Sequence, residues 1–341
     1  MLNQENYEKV TFLFGGNYQG TFSRDSINKV TVQAGIQFQG LSGPGSVLFL
    51  EASWVDLLSF GICYLQPLSK NSFFLSKADI MVDKHISTSG FVRKDAEEER
   101  LLLLSGEIKA GVYLDKHTVF KAGPLFLIAN PQDPVADESE KNKALGFSAA
   151  LSYNSLDFLF FPTKGLYAEL ENRFYLPLSY VESLYFNIVS LDFCGVLPLG
   201  DKISIAANGF VGSDVSRKYS LFRGLPIGFT SFDRLYFFNV SRLDDYYSHK
   251  AAASLAFQFQ PWENLTILGG QLLFSISASA GELLYNWEDF AFDRLIWNSS
   301  LNIGVRIKSN YGVQLRIGAG SNGYDPPMPF IVFDIGRKNS F

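Results

Sequence analysis

The chain has 341 residues, of which 47% are hydrophobic, 18% charged and 15% aromatic, and its formal charge is −5. This balance leaves no basic surface for nucleic acid, so we exclude that partner class. A membrane-spanning helix is excluded too, since it needs roughly 18 consecutive apolar residues and the densest run, residues 101–104, is bounded by Arg100 and Ser105. The two cysteines, Cys63 and Cys194, are far apart in sequence and indicate free thiols rather than a disulfide or zinc site.

Alternation of apolar and polar residues is the main pattern of the sequence. It is clearest over residues 30–39, 297–308 and 311–319, where every second residue is apolar. Such strands fit a sandwich or a membrane barrel. The alternating segments run about ten residues, longer than sandwich strands and close to the nine to eleven of a tilted membrane strand. The pattern predicts about sixteen strands, near residues 9–18, 28–39, 46–54, 57–66, 72–85, 98–113, 117–127, 144–153, 164–176, 182–197, 201–213, 249–260, 264–278, 296–308, 311–319 and 330–341.

The predicted fold is all-β, a transmembrane antiparallel β-barrel of about sixteen strands. We expect residues 1–341 to form this single domain, with residues 1–8 as a short lead-in and no periplasmic or lipase domain before the barrel. Short connections alternate with long ones, which is typical of barrels with short periplasmic turns and long extracellular loops. The longest connection, residues 214–248, follows the eleventh strand and is the predicted sixth extracellular loop.

Two motifs point weakly to chemistry. Residues 318–323 match GxGxxG, but prolines follow instead of the helix that a dinucleotide site requires, so a flexible loop is the better interpretation. The three histidines, His85, His117 and His249, lie near predicted strand ends, and the chain contains no GxSxG elbow. We therefore predict no catalytic residue, cofactor or metal site, and we interpret the histidines as solvated rim residues.

The connection before the ninth strand carries the most specific motif, formed by Asp157, Phe161, Pro162, Thr163 and Gly165. Taken alone it predicts a tight periplasmic turn, because proline cannot donate to a sheet and glycine tolerates unusual backbone angles. Its spacing, however, resembles the corresponding turn of the bacterial surface antigen superfamily. That superfamily comprises the barrels of outer-membrane assembly factors and two-partner secretion transporters.

The resemblance extends in part to the long loop, which contains the sequence Phe222, Arg223, Gly224, Leu225. In the superfamily this loop folds back into the barrel, and an Arg-Gly-aromatic tip pairs with acidic groups on the inner wall. Here a leucine replaces the aromatic residue. The inward positions expected to carry the acids fall near Ala256 and Ser275, so the partners that the resemblance implies for Arg223 are missing.

Several early segments look like the barrel of patatin-like phospholipases of the type V secretion pathway. This resemblance implies an outer-membrane protein that anchors, and helps to translocate, an N-terminal passenger. The catalytic residues of a patatin domain have no counterparts in this chain. The implied partners are the outer-membrane bilayer, the barrel assembly machinery during insertion and the passenger, and a homodimer is left open.

The seam between the first and last strands is the remaining candidate site. Gly15, Gly16 and Gly336 lie near it and are expected to weaken it, because glycine packs no side chain. This motivates the secondary hypothesis that the seam opens. The final residue, Phe341, resembles the terminal aromatic signal for insertion of outer-membrane barrels.

Two other functions remain open at this stage. One is a passive porin-like channel, whose predicted inward residues Gln33, Arg306, Lys308 and Arg316 would line water. The other, less favoured, is a barrel with its own hydrolase activity.

Overall fold

The computed structural model describes residues 10–21, 28–55, 57–86, 98–132, 142–178, 186–215, 249–262, 266–267, 270–284, 287–292, 295–308, 311–321 and 327–337. The lead-in at residues 1–8, the loop tip at residues 222–225 and the terminal Phe341 lie outside the described residues. So do the side chains of His85 and Lys308.

Sixteen long strands make up nearly all of the described chain. Each pairs antiparallel with its neighbours, and the first pairs with the last, which closes the sheet into a barrel. None of the described helical residues belongs to a segment long and apolar enough to cross a bilayer. The strands are β1 (Val10–Thr21), β2 (Asn28–Gln39), β3 (Val47–Val55), β4 (Leu57–Pro67), β5 (Ser72–Ile86), β6 (Glu98–Tyr113), β7 (Thr118–Gln132), β8 (Asn142–Asn154), β9 (Gly165–Pro177), β10 (Phe186–Pro198), β11 (Ile203–Asp214), β12 (His249–Phe259), β13 (Gly270–Leu284), β14 (Ile296–Lys308), β15 (Tyr311–Ser321) and β16 (Met328–Arg337).

The sixteen-stranded all-β barrel predicted from the alternation is confirmed. One strand differs, because residues 264–278 were expected to form the thirteenth strand. Instead the two-residue strand Thr266–Ile267 pairs back onto the start of β13, which runs on to Leu284. The sequence contains a Gly-Gly pair at residues 269–270, which is typical of hairpin turns, and the predicted strand runs through it.

The two faces of the sheet have opposite polarity. Outward side chains are large and apolar, and several are more than half exposed, for example Phe12 (64%), Leu58 (58%), Ile276 (60%) and Leu301 (61%). Because these outward residues alternate with inward residues that are polar over much of the sheet, this arrangement suits lipid outside and water inside. The outward Glu282 is an exception that is buried, and its carboxylate accepts a hydrogen bond from the backbone N–H of Ala291.

The ladder between β1 and β16, which forms the seam, is shorter than the adjacent β1–β2 ladder. Pairing extends over Gly16–Thr21 of β1, whereas the β1–β2 ladder begins at Val10. Gly15 lies where the backbones approach closely, since a Cβ atom there would be 2.8 Å from the carbonyl oxygen of Ile335. The Tyr311 hydroxyl on β15 reaches across β16 and donates a 3.0 Å hydrogen bond to the carbonyl oxygen of Phe14.

Candidate functional site: a plugged lumen

The connection between β8 and β9, residues 155–164, folds into the barrel lumen and is not the tight turn that its proline and glycine predict in isolation. Its aromatic side chains contact strands on the far side of the barrel, β14 and β15. We call residues 155–164 the plug segment. It lies at the end that carries the short connections, which the pattern of outer-membrane barrels assigns to the periplasm.

Asp157 organises the plug segment. Its carboxylate accepts hydrogen bonds from the backbone N–H groups of Phe158 (2.9 Å), Thr163 (2.9 Å) and Lys164 (3.3 Å). The Thr163 hydroxyl donates to the same carboxylate. Such local side-chain caps replace the backbone pairing that a loop lacks, so the segment holds its shape without belonging to the sheet.

Two unusual backbone angles shape the plug segment. Phe161 has a φ of +51°, in the left-handed region that non-glycine residues rarely occupy. Gly165 has a φ of +107°, and a Cβ atom there would lie 2.3 Å from the carbonyl oxygen of Ser155. Gly165 therefore has to be glycine, while the strain at Phe161 has to be offset by the contacts of that residue in the lumen.

The rings of Phe160 and Phe161 occupy two recesses where the inner wall has no side chain. A Cβ atom on Gly304 of β14 would lie 2.1 Å from the Phe161 ring, and one on Gly312 of β15 would lie 2.3 Å from the Phe160 ring. The two rings meet edge to face with centroids 5.1 Å apart, and Phe160 is only 2% exposed. We call these positions the glycine recesses.

Arg306 fastens the plug segment to the wall. Its Nη1 donates a 2.7 Å hydrogen bond to the carbonyl oxygen of Phe161, and its Nη2 donates to the Gln271 side chain. Its guanidinium carbon lies 3.7 Å from the centroid of the Phe158 ring. At 5% exposure Arg306 makes a charge-assisted hydrogen bond and a cation–π contact at the same time.

The plug segment separates two cavities. A cavity of about 430 Å³ on the periplasmic side is lined by Asp157, Phe158, Thr163, Lys164 and the turn at residues 198–202. A smaller one of about 80 Å³ lies on the lumen side, under Phe160 and Phe161. Its opposite wall, from β11 to β15, presents one charged residue, Arg316, among hydroxyl and amide groups, namely those of Asn208, Ser254, Gln258, Ser275, Ser277, Asn302 and Gln314.

The inner wall from β6 to β9 is charged instead. Lys109 lies 2.8 Å from Glu107 and 3.2 Å from Glu171, and Arg173 lies 2.9 Å from the other oxygen of Glu171. Lys109 on β6 can reach β9 because the inner wall between them carries small residues, including Gly123. This network braces the strand that leaves the plug segment.

Comparison with known proteins identifies the fold. The structure of "BamA from Haemophilus ducreyi lacking POTRA domains 1-3" superposes with a TM-score of 0.68 at 16% identity, over 97% of this chain and 70% of that one. CdiB from Escherichia coli (TM-score 0.62, 11% identity) and CdiB from Acinetobacter baumannii (0.61, 12%) match over 98% and 96% of this chain. The chain covers 68% and 60% of those two proteins, respectively.

The fold is that of a bacterial outer-membrane barrel. The apolar outer wall and the polar lumen agree with that location. No protein-family model and no curated protein matches the sequence.

The residues singled out in the sequence fall into separate places of this barrel. All five of the turn motif lie in or directly after the plug segment, where Asp157 binds Thr163. Gly15, Gly16 and Gly336 lie at the seam. Ala256 and Ser275 line the lumen at the expected inward positions.

Two histidines have defined partners, unlike the simply solvated rim residues expected. His249 Nδ1 lies 2.7 Å from the Ser213 hydroxyl on the outer wall, and its ring stacks on Trp287 with centroids 4.9 Å apart. His117 Nδ1 lies 2.9 Å from the carbonyl oxygen of Asn154.

The sequence alone does not reveal the role of Arg306 or of the two glycine recesses. Arg306 was expected only to line a pore, and Gly304 and Gly312 were two of 29 glycines. The alternation places both glycines on the inner face of the barrel, but no neighbouring residue in the sequence indicates that an aromatic ring packs against each of them.

Proposed function

We propose that the protein is a gated barrel of the bacterial outer membrane that takes part in protein translocation or assembly. The observation that carries the proposal is the plug segment. A passive pore needs a continuous water-filled path, whereas here the plug segment crosses the periplasmic end of the lumen, where Phe160 and Phe161 pack against the far wall and Arg306 binds the segment. A barrel whose own chain crosses its lumen is better suited to conditional passage of a substrate than to free diffusion.

Two further lines support this proposal. The turn motif resembles that of assembly factors and two-partner secretion transporters, and the fold is similar to those of BamA and CdiB. This chain covers between 60% and 70% of the lengths of those proteins. Any activity of the whole proteins is therefore attributed to this chain only as part of the proposal.

The finer proposal is that the barrel anchors and helps to translocate an N-terminal passenger of the patatin-like type. The outer-membrane assembly machinery would insert the barrel, and a second copy of the chain is a candidate partner. The short β1–β16 seam supports the secondary hypothesis that the seam opens during passage.

Single-channel recording in planar bilayers tests the main proposal. We expect the unmodified barrel to be closed most of the time, with brief openings. Replacing residues 158–162 by a Gly-Ser segment of equal length should give large, steady conductance steps. Equally large and steady steps from the unmodified barrel would instead identify a passive porin.

One observation favours a second candidate, a hydrolase, because Ser213 and His249 form a hydrogen bond on the lipid-facing wall. We expect the barrel not to hydrolyse phospholipid, since a Ser–His contact alone supplies no stabilisation for an oxyanion. A phospholipase assay of the reconstituted barrel and of its Ser213→Ala variant decides the matter. Hydrolysis that is lost in the variant would overturn the assignment as a non-enzyme.

A further inference from the structure

We propose that Arg306 and the two glycine recesses form a binding site for an extended polypeptide carrying aromatic residues, and that the plug segment occupies it as a tethered ligand. This inference rests on the proposed function, because it supplies the means by which a polypeptide in transit displaces the plug segment. We call Gly304, Arg306 and Gly312 together the socket.

The recesses recognise aromatic rings by shape. Each lies on an inward position between polar inward neighbours, for example Asn302 and Arg306 on either side of Gly304. A ring can lie flat against the strand backbone only because no side chain projects there, and the Phe161 ring comes within 2.1 Å of where the Cβ atom of Gly304 would be. A recess of this form takes any planar ring that reaches it, whichever chain supplies the ring.

Arg306 adds recognition of a peptide backbone. Its hydrogen bond to the plug segment goes to a backbone carbonyl oxygen, and its guanidinium lies over an aromatic ring. Neither contact depends on the identity of neighbouring residues. A polypeptide of different sequence that carries aromatic residues can therefore make the same contacts with the socket as the plug segment does.

The socket lies between two accessible spaces. The periplasmic cavity of about 430 Å³ is lined by Phe158 and Thr163 of the plug segment and by residues of the barrel wall, so a chain that enters it can contact the edge of the plug segment. On the lumen side the cavity wall offers hydroxyl and amide groups for hydrogen bonds, and Arg316 is its charged residue. Hydroxyl and amide groups of this kind can form hydrogen bonds with the backbone of a chain that exchanges for the plug segment.

A polypeptide fits these observations better than a lipid or a sugar. The socket faces the lumen and is separated from the bilayer by the sheet, which disfavours a lipid acyl chain. A sugar could stack on an aromatic ring, but the recesses themselves contain no ring and are filled by rings, so the ligand has to bring the aromatic group. The test therefore includes, as a control, a measurement of whether an oligosaccharide blocks the channel.

The test uses the barrel in which residues 158–162 are replaced by Gly-Ser, recorded in planar bilayers. A synthetic peptide of residues 156–164 is added to each chamber in turn. We expect concentration-dependent block of the open channel. The same peptide with serine in place of both Phe160 and Phe161 should fail to block, and Arg306→Ala in the barrel should weaken block by about tenfold or more, as loss of a charge-assisted hydrogen bond predicts.

Several outcomes would overturn the inference. These are no block by the native peptide at millimolar concentration, equal block by the serine peptide, or equal block by a maltooligosaccharide. Folding of each variant is checked by the gel-mobility shift of heated and unheated samples, and Phe160→Ser/Phe161→Ser serves as a second open barrel if the Gly-Ser replacement does not fold. An unmodified barrel as open as either variant would refute the proposed function. An open variant that the peptide does not block refutes only the socket.

Discussion

Arg306 Nη1 lies 2.7 Å from the carbonyl oxygen of Phe161, a residue 145 positions earlier in the chain, in a segment whose flanking strands β8 and β9 lie on the opposite side of the barrel. This hydrogen bond joins the plug segment to β14, whereas the segment's covalent attachments are to β8 and β9. The plug segment is thus held at both sides of the lumen, and its attachment to β14 can be removed by a substitution that leaves the chain connections to β8 and β9 intact.

Removing the guanidinium should open the barrel. The Arg306→Ala change deletes the hydrogen bond to Phe161 and the contact with the Phe158 ring. Since a hydrogen bond to a charged group contributes about 1.5–3 kcal/mol, we expect the open probability in planar bilayers to rise by about tenfold to a hundredfold. The matched control is Lys77→Ala, which removes a lumen cation from β5, where its side chain is 48% exposed and pairs with Asp79. Equal effects of both changes would mean that lumen charge, not plug attachment, sets the conductance.

The glycine recess at residue 304 should show strong coupling to Phe161. A methyl group in Gly304→Ala would overlap the Phe161 ring, and overpacking of this kind costs about 1–3 kcal/mol, so the ring should leave its recess and conductance should rise. In a barrel that already carries Phe161→Ala, the same change at residue 304 should have no further effect. Gly209→Ala is the control, because the nearest heavy atom to its Cβ position is 3.8 Å away. Additive effects at residues 161 and 304 would contradict the docking of that ring.

The Asp157 cap should control the shape of the plug segment. In Asp157→Ala the backbone N–H groups of Phe158 and Thr163 lose their acceptor. We therefore expect chymotrypsin to cleave faster after the phenylalanines of the plug segment. The measurement uses proteoliposomes in which the periplasmic face of the barrel is accessible to the protease. Asp115 offers a close control in another short turn, where it accepts hydrogen bonds from His117 N (2.7 Å) and Thr118 N (2.8 Å). These bonds lower the pKa of Asp115, so it is ionised at neutral pH.

Asp115→Ala should therefore disturb its own turn without changing cleavage at the plug. Protection of the plug that survives Asp157→Ala would show that the recesses alone determine its position.

The sequence predicted the strands far better than it predicted the site. Strand β14 was expected at residues 296–308 and lies there, because alternation continues without a break through the whole strand. The local half of the site was also visible, since Asp157, Pro162 and Gly165 form a motif within nine residues. The other half of the site, on the far wall of the barrel, could not be predicted from the sequence. Alternation places Gly304 and Arg306 on the inner face, but it carries no information on which inward residues meet across the lumen.

Cross-linking the seam should impair passage if the seam opens. Asn17 faces Asp334 across the seam and Thr31 across the β1–β2 ladder. With both native cysteines replaced, Asn17→Cys/Asp334→Cys therefore locks the seam, and Asn17→Cys/Thr31→Cys locks the adjacent ladder as a control that uses the same residue. We expect oxidation to reduce secretion of an N-terminally fused passenger only in the first variant, and reduction to restore it. Passenger secretion unchanged by a completed seam disulfide would reject the secondary hypothesis.

The charged wall should matter for stability more than for conductance. The side chain of Lys109 is only 3% exposed and lies between Glu107 and Glu171. Lys109→Met therefore removes a positive charge that pairs with two partly buried carboxylates. Breaking a fully buried pair costs about 3–5 kcal/mol, and we expect a smaller loss of about 1–3 kcal/mol here because lumen water can hydrate the freed carboxylates. Urea unfolding, followed by the gel-mobility shift, measures it. Lys77→Met removes an exposed pair and should cost less than about 1 kcal/mol. If both lysine variants unfold at the same urea concentration, the β6–β9 network does not brace the barrel.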